Sequence, residues 1–91
     1  MKRWGVYLLR CADGTLYCGA TNDIGKRLVA HNAGRGAKYT RGRRPVRLVV
    51  FTENTLSRAD ALRLERAVKR LPRAKKAPHL RAIRQRRNSH S

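Results

Sequence analysis

Two tyrosines, a helical arginine–histidine pair and one isolated carboxylate are the side chains whose types and spacing could act together on a phosphate. Tyr7 closes the triplet Gly5-Val6-Tyr7, and Tyr17 opens the mirrored triplet Tyr17-Cys18-Gly19. Arg27 and His31 stand four residues apart, which makes them neighbours on one helix face. Glu65 is the only acidic residue between Arg63 and Arg87, amid Arg63, Arg66, Lys69 and Arg70. A guanidinium is a planar donor fork suited to phosphate, although in so basic a chain Arg27 can also be one more solvated cation. His31 has a plainer reading as a cation near a helix C-terminus. Glu65 either pairs with Lys69 at i,i+4 or holds a hard cation through oxygen. A free tyrosine ionises near ~10, so a tyrosine acting as a base at neutral pH needs about 4 kcal/mol from its neighbours.

Composition narrows the partner. The chain has 91 residues with 23 Lys+Arg against 5 Asp+Glu, a formal net charge of +18. That length makes one domain with a modest core, and a field of that sign draws the protein to polyanions, with nucleic acid the default. A hydrophobic fraction of 41% supports a folded chain. A membrane surface is a poorer reading: no apolar run approaches a span of about 18 residues, and no basic stretch carries a broad aromatic-rich face. The apolar stretch after Met1-Lys2-Arg3-Trp4 is too short and interrupted for a signal peptide. The expectation is a cytoplasmic, nucleoid-associated protein. Cys11 and Cys18 are too few for a zinc site and read as free, buried thiols.

The elements that must position these residues follow from pattern. Val6-Tyr7-Leu8-Leu9 and Leu16-Tyr17-Cys18 read as strands of a hairpin turning at Asp13-Gly14. A two-residue Asp13-Gly14 loop pairs Ala12 with Thr15 and sends the two tyrosines to opposite faces. A three-residue loop of Asp13 to Thr15 pairs Ala12 with Leu16 and puts both tyrosines on one face. A joint site therefore predicts an odd-length loop. Thr21-Asn22-Asp23 is an N-cap cluster, with Asn22 as the expected cap, opening a helix over Ile24 to His31 that Gly34 stops. Arg35 to Arg44 reads as a basic, glycine-punctuated loop. Val46 to Thr52 is the clearest strand and is expected at the centre of the sheet. Ser57 and Asp60 form a capping-box-like start to a helix with Ala61, Leu64, Val68 and Leu71 inward, ended by Pro72. A basic C-terminal helix over about residues 75–87, starting near Pro78, buries Leu80 and Ile83, and residues 88–91 look like a frayed tail. The order β-β-α-β-α-α gives an α+β fold, a small three-stranded antiparallel sheet flanked by helices.

The two triplets, with Val6 and Cys18 in place of isoleucine, resemble those that name the GIY-YIG nuclease family. The resemblance continues through Thr21-Asn22-Asp23, Arg27, His31, Gly36-Ala37-Lys38-Tyr39-Thr40, Leu48-Val49 and Glu65, and covers roughly Arg3 to Leu71. The Gly-Ala-Lys-Tyr-Thr loop and the helix from Ser57 to Lys69 look like the small stand-alone bacterial YhbQ-like branch. They are also similar to the nuclease subunit of eukaryotic structure-selective endonucleases. The resemblance implies the same fold, in one domain over residues 1–87. It implies that Tyr7, Tyr17, Arg27, His31 and Glu65 are catalytic: one tyrosine deprotonates the attacking water, Arg27 stabilises charge on the scissile phosphate, and Glu65 holds Mg²⁺, with Mn²⁺ an alternative.

The resulting expectation is a metal-dependent, monomeric endonuclease hydrolysing phosphodiesters in DNA. Without room for a separate recognition domain, it would select branched, damaged or single-stranded structure and serve repair or recombination. RNA and a protein partner are alternatives within that reading. Lys38, Tyr39, Arg41, Arg43, Arg44, Lys69, Lys75, Lys76 and Arg84 are the candidate nucleic-acid contacts, with Tyr39 stacking, touching phosphate or packing against the first helix. The runner-up is a non-catalytic or partner-dependent module that binds DNA, RNA or the ribosome.

Overall fold

A computed structural model of the chain describes residues 2–88, with side chains described through residue 86. Its elements run β1 (Gly5–Arg10), β2 (Leu16–Thr21), α1 (Ile24–Asn32), α2 (Lys38–Arg41), β3 (Arg47–Phe51), α3 (Arg58–Lys69) and α4 (Arg73–Asn88). The strands form one antiparallel sheet in the order β2-β1-β3, so the fold is the expected α+β sandwich. The residues expected as a frayed tail divide: Asn88 is the last residue of α4, and residues 89–91 lie outside the described ones. No described helix is long and apolar enough to cross a membrane.

The strand expected at the centre is at an edge. β1 is the central strand because Val6, Tyr7, Leu8 and Leu9 are all buried, two on each face. A run apolar on both sides is what a strand covered on both faces requires. β3 exposes Arg47 and Leu48 and buries only its last residues, Val50 and Phe51. On one face Val6, Leu8, Cys18 and Val50 pack with Ala61 and Val68 of α3 and Leu80 of α4. On the other, Tyr7, Leu9, Cys11 and Phe51 pack with Tyr17 and with Ile24 and Leu28 of α1. Cys11 and Cys18 are buried free thiols.

The hairpin adopts the odd-length parity at a different offset. Tyr7 pairs with Gly19 and Arg10 with Leu16, and the loop is Ala12-Asp13-Gly14 rather than Asp13 to Thr15. Gly14 donates to the Cys11 carbonyl at 2.9 Å and sits at φ +84, the left-handed position of a bulged three-residue loop. Asp13 accepts from both the amide and the hydroxyl of Thr15, which locks the loop at this offset. Tyr7 and Tyr17 therefore share a face.

Three further expectations are corrected. The N-cap of α1 is Asp23, which accepts from the Lys26 amide at 3.0 Å. Asn22 offers its carbonyl to Asn54 Nδ2 at 2.7 Å. The basic loop contains the single helical turn α2, so the order is β-β-α-α-β-α-α. The last helix begins at Arg73, with Pro78 inside it. Its first turn is pinned against α3: Lys76 Nζ donates to the carbonyls of Val68 at 2.9 Å and Lys69 at 3.0 Å, and Ala77 packs on the core. Those contacts outweigh the preference of proline for a helix start.

Candidate active site

The Tyr7 side chain is 1% exposed and can lie where it does because its cross-strand partner is glycine. A Cβ on Gly19 would sit 2.3 Å from Tyr7 Oη and 2.5 Å from Cζ. The glycine of the second triplet thus makes room for the tyrosine of the first. α1 follows β2 after two residues and crosses the same face, so Arg27 and His31 point at this ring. Tyr7 Oη lies 2.9 Å from His31 Nε2 and accepts from Arg27 Nε at 3.4 Å. Tyr17 completes the face, its ring 6.4 Å from Tyr7 and edge-on to His31 at 5.4 Å.

The short α2 segment builds the far wall. His31 Nδ1 lies 2.8 Å from Thr40 Oγ1, which donates to the Ala37 carbonyl at 3.0 Å. Tyr39 stacks on Tyr17 with centroids 6.0 Å apart, and the Arg43 guanidinium lies 3.9 Å from the Tyr39 centroid. Tyr39 thus packs against the second tyrosine. Gly19, Gly36 and Thr40 are the site residues that sequence reasoning passed over. Gly36 and Thr40 belong to the Gly-Ala-Lys-Tyr-Thr motif, whose glycine two residues after the helix stop Gly34 was the available signal.

Glu65 comes to the site from α3, which packs beside the β2 edge. Its side chain is 18% exposed, and its Oε2 lies 2.7 Å from Lys69 Nζ, so the simple i,i+4 pair does form. Lys69 in turn lies 5.7 Å over the Tyr17 ring. A groove of about 280 Å³ runs along this edge between Tyr17, Tyr39, Lys69 and Lys76. Among the described residues no three His, Cys, Asp or Glu side chains converge. A fully protein-ligated metal is therefore not what this donor set suits. One hard carboxylate beside an open groove does fit Mg²⁺, which keeps waters and takes substrate phosphate.

Burial pushes the Tyr7 phenol up to about 12, outweighing the opposing hydrogen bond from Arg27. Burial also raises Tyr17, with Lys69 opposing and Glu65 assisting. Neither tyrosine is held as a phenolate in the protein alone. His31 moves the other way: burial, then the Arg27 charge, lowers it below its ordinary 6.5. A neutral imidazole therefore sits against a neutral phenol.

The candidate nucleic-acid contacts separate into two groups. Lys38 and Arg41 are exposed on α2 beside Tyr39, and Lys75 is exposed on α4. Arg43 is engaged internally, paired with Asp13 at 3.0 Å and donating to the Tyr39 carbonyl at 2.8 Å. Arg44 donates to the carbonyls of Arg41 and Asn32, and Lys76 caps α3 as described. Arg84 faces Glu53 at 3.7 Å on the helix that packs behind the sheet, away from the tyrosine face.

Comparison with known proteins agrees with this geometry. A model of the GIY-YIG catalytic domain matches residues 3–77. A UPF0213 protein of Nitratidesulfovibrio vulgaris is 52% identical over 80 residues, covering 88% of this chain and 72% of that protein. One from Halobacterium salinarum is 52% identical over 71 residues, covering 78% of this chain and 91% of that protein. The solution NMR structure of the protein EF2693 from E. faecalis is 38% identical with a TM-score of 0.60, covering 91% of this chain and 88% of that one. That of the UPF0213 protein BH0048 from Bacillus halodurans is 44% identical with a TM-score of 0.53, covering 88% and 84%.

Proposed function

The chain belongs to the GIY-YIG family, among its small members, and on that premise we propose that it is a metal-dependent endonuclease that hydrolyses phosphodiesters in DNA. The catalytic domain supports a nuclease-like function and a nucleic-acid partner. The observation that carries the finer reading is the Tyr7 oxygen, held between Arg27 Nε at 3.4 Å and His31 Nε2 at 2.9 Å. In that position one oxygen can take a proton from water while passing its own to a neutral base.

Tyr7 accepts a proton from the attacking water, and its own proton moves to His31. The raised phenol argues against a stored phenolate, and the lowered imidazole is neutral at pH 7, with a lone pair to take the proton. The new bond forms between the water oxygen and phosphorus as the bond from phosphorus to the 3′ oxygen breaks, and that oxygen is protonated from solvent. Arg27 donates to the phosphoryl oxygens as charge develops on them. Tyr17, stacked on Tyr39, borders the groove and orients the phosphate. Glu65 would hold one Mg²⁺, or Mn²⁺, which when bound supplies Lewis-acid stabilisation of the phosphoryl and leaving oxygens. Lys69 must yield its hold on the Glu65 carboxylate, and its ammonium is then free for the substrate.

The site is built from one chain, so a monomer suffices. Exposed Lys38, Arg41 and Lys75 track phosphate without reading bases. That favours branched, flapped or single-stranded DNA as substrate, and a repair or recombination role near the nucleoid. A second reading, a binding module without catalysis, is favoured by one observation, the closed Glu65–Lys69 pair at 2.7 Å.

The test is cleavage of labelled single-stranded, duplex, flapped and four-way DNA, with and without Mg²⁺, by the wild type and Glu65→Ala. Circular dichroism and anisotropy confirm folding and binding of the variant. Metal-dependent cutting, strongest on branched substrates and lost in Glu65→Ala, is expected. Cutting undiminished in Glu65→Ala would refute the metal role. Salt-sensitive binding with no cutting of any substrate would favour the binding module.

A further inference from the structure

We infer that Thr40 is a positioning residue that, with the Ala37 carbonyl and the bare Gly36 backbone, fixes His31 in its Nδ1–H tautomer and so leaves Nε2 free to accept the Tyr7 proton. The inference follows from counting donors. A carbonyl can only accept, so the bond of 3.0 Å between Thr40 Oγ1 and the Ala37 oxygen uses the single hydroxyl proton of Thr40. Thr40 Oγ1 then has only lone pairs to offer His31 Nδ1 at 2.8 Å, and Nδ1 must carry hydrogen. A neutral imidazole has one N–H. Nε2 is therefore the lone-pair nitrogen, and at 2.9 Å it accepts from Tyr7. Arg27, which has donors alone, donates to Tyr7. Every hydrogen bond from Arg27 through Tyr7, His31 and Thr40 to Ala37 points one way.

The surroundings hold these partners in place. His31 and Thr40 are both 0% exposed, so water does not replace either partner. The Ala37 carbonyl is itself held by the amides of Thr40 at 3.1 Å and Arg41 at 3.2 Å, the single turn of α2. The β-branch of Thr40 restricts its χ1 and so the direction of its hydroxyl. Gly36 seats the ring from the side: a Cβ there would lie 2.2 Å from His31 Nδ1 and 2.7 Å from Cγ. No larger residue lets the loop backbone approach the imidazole this closely. The motif from Gly36 to Thr40 is thereby a holder for one histidine tautomer.

The catalytic half of this inference rests on the nuclease reading; the tautomer does not. Long-range ¹H–¹⁵N correlation spectra of the full chain at neutral pH report which nitrogen of His31 is protonated. A wild-type spectrum with protonated Nδ1 and bare Nε2 is expected. Thr40→Val should shift His31 toward a mixture of tautomers, and Thr40→Ser should restore the wild-type pattern. In single-turnover cleavage, Thr40→Val should lose at least ~10²-fold in rate with DNA affinity unchanged, since an incorrect histidine tautomer in a catalytic triad costs about 10⁴. Thr40→Ser should keep most of the activity. A wild-type spectrum with protonated Nε2, or a Thr40→Val spectrum unchanged from wild type, overturns the proposal. The wild-type spectrum decides it even if Thr40→Val does not fold. A chain that cuts no DNA would refute the reading of function while the spectra still decide the tautomer.

Discussion

Tyr7→Phe separates the structural from the chemical role of one oxygen. The ring is 1% exposed and remains packed, so only Oη is lost. Its bond to Arg27 is long, 3.4 Å, and Arg27 is half-buried, so water can replace it at little cost. The bond to His31 Nε2 is 2.9 Å, and His31 is fully buried. A hydrogen bond contributes about 1 kcal/mol net, and a stranded buried acceptor costs about 1–3 kcal/mol. The stability loss should therefore be about 2 kcal/mol, which at ~4–8 °C per kcal/mol lowers Tm by roughly 8–16 °C for a domain of this size. Loss of the group that accepts the water proton should slow the chemical step by about 10²–10⁴. No charge changes, so DNA affinity should hold. Thermal unfolding, fluorescence anisotropy and single-turnover cleavage below the variant's Tm read the three quantities apart. Cleavage within about tenfold of wild type by folded Tyr7→Phe would refute Tyr7 as the base. An unchanged Tm would refute the buried bond to His31.

Further outcomes are expected. Because burial and the Arg27 charge lower His31 below 6.5, it must lose its proton before it can accept one. The cleavage rate should therefore fall with decreasing pH only below 6.5, and an inflection above that value would contradict the relay. The same depressed value ties stability to pH: the contribution is complete above the unfolded value and is lost as pH falls through the folded one, visible as a Tm decline in acid. Gly19→Ala should displace the Tyr7 ring, with a Cβ 2.3 Å from its hydroxyl. An overpacking cost of about 1–3 kcal/mol and loss of cleavage should follow together, measured by denaturant unfolding and single-turnover assay. Lys76→Ala should lower stability by about 1 kcal/mol, since it removes one donor from each of two carbonyls at the end of α3, of which that of Val68 keeps the Leu71 amide. Lys75→Ala should leave stability unchanged and reduce the salt dependence of DNA binding by about 0.9 in log–log slope.

Several features of this protein are legible in its residues because they are local. Asp13-Gly14 marks the turn, Ser57 caps α3 through the Asp60 amide, and the spacing of Arg27 and His31 puts them one helical turn apart. The parity argument for the hairpin needed only the requirement that Tyr7 and Tyr17 act together. Where inference from pattern went astray, the deciding contact was distant in sequence. β3 has the stronger strand composition, yet β1 takes the centre because both its faces find helices to cover them. Nor did pattern show that Lys76, Arg43 and Arg44, candidate nucleic-acid contacts, each have a carbonyl or carboxylate partner brought near by folding.

What the residue string determined by itself is the inventory: a strongly basic chain, a hairpin carrying two tyrosines, a helix carrying Arg27 and His31, and a lone carboxylate on α3. Tertiary structure decided how those groups behave. Gly19 matters because Tyr7 lies across it, and Gly36 because His31 lies against it. The order of proton donors exists only where Thr40 meets His31. Burial on folding, which penalises charge, sets the tyrosines above and the histidine below their ordinary values. A side chain carries its chemistry in its type, but its pKa and its hydrogen-bond partner depend on which atoms replace water around it.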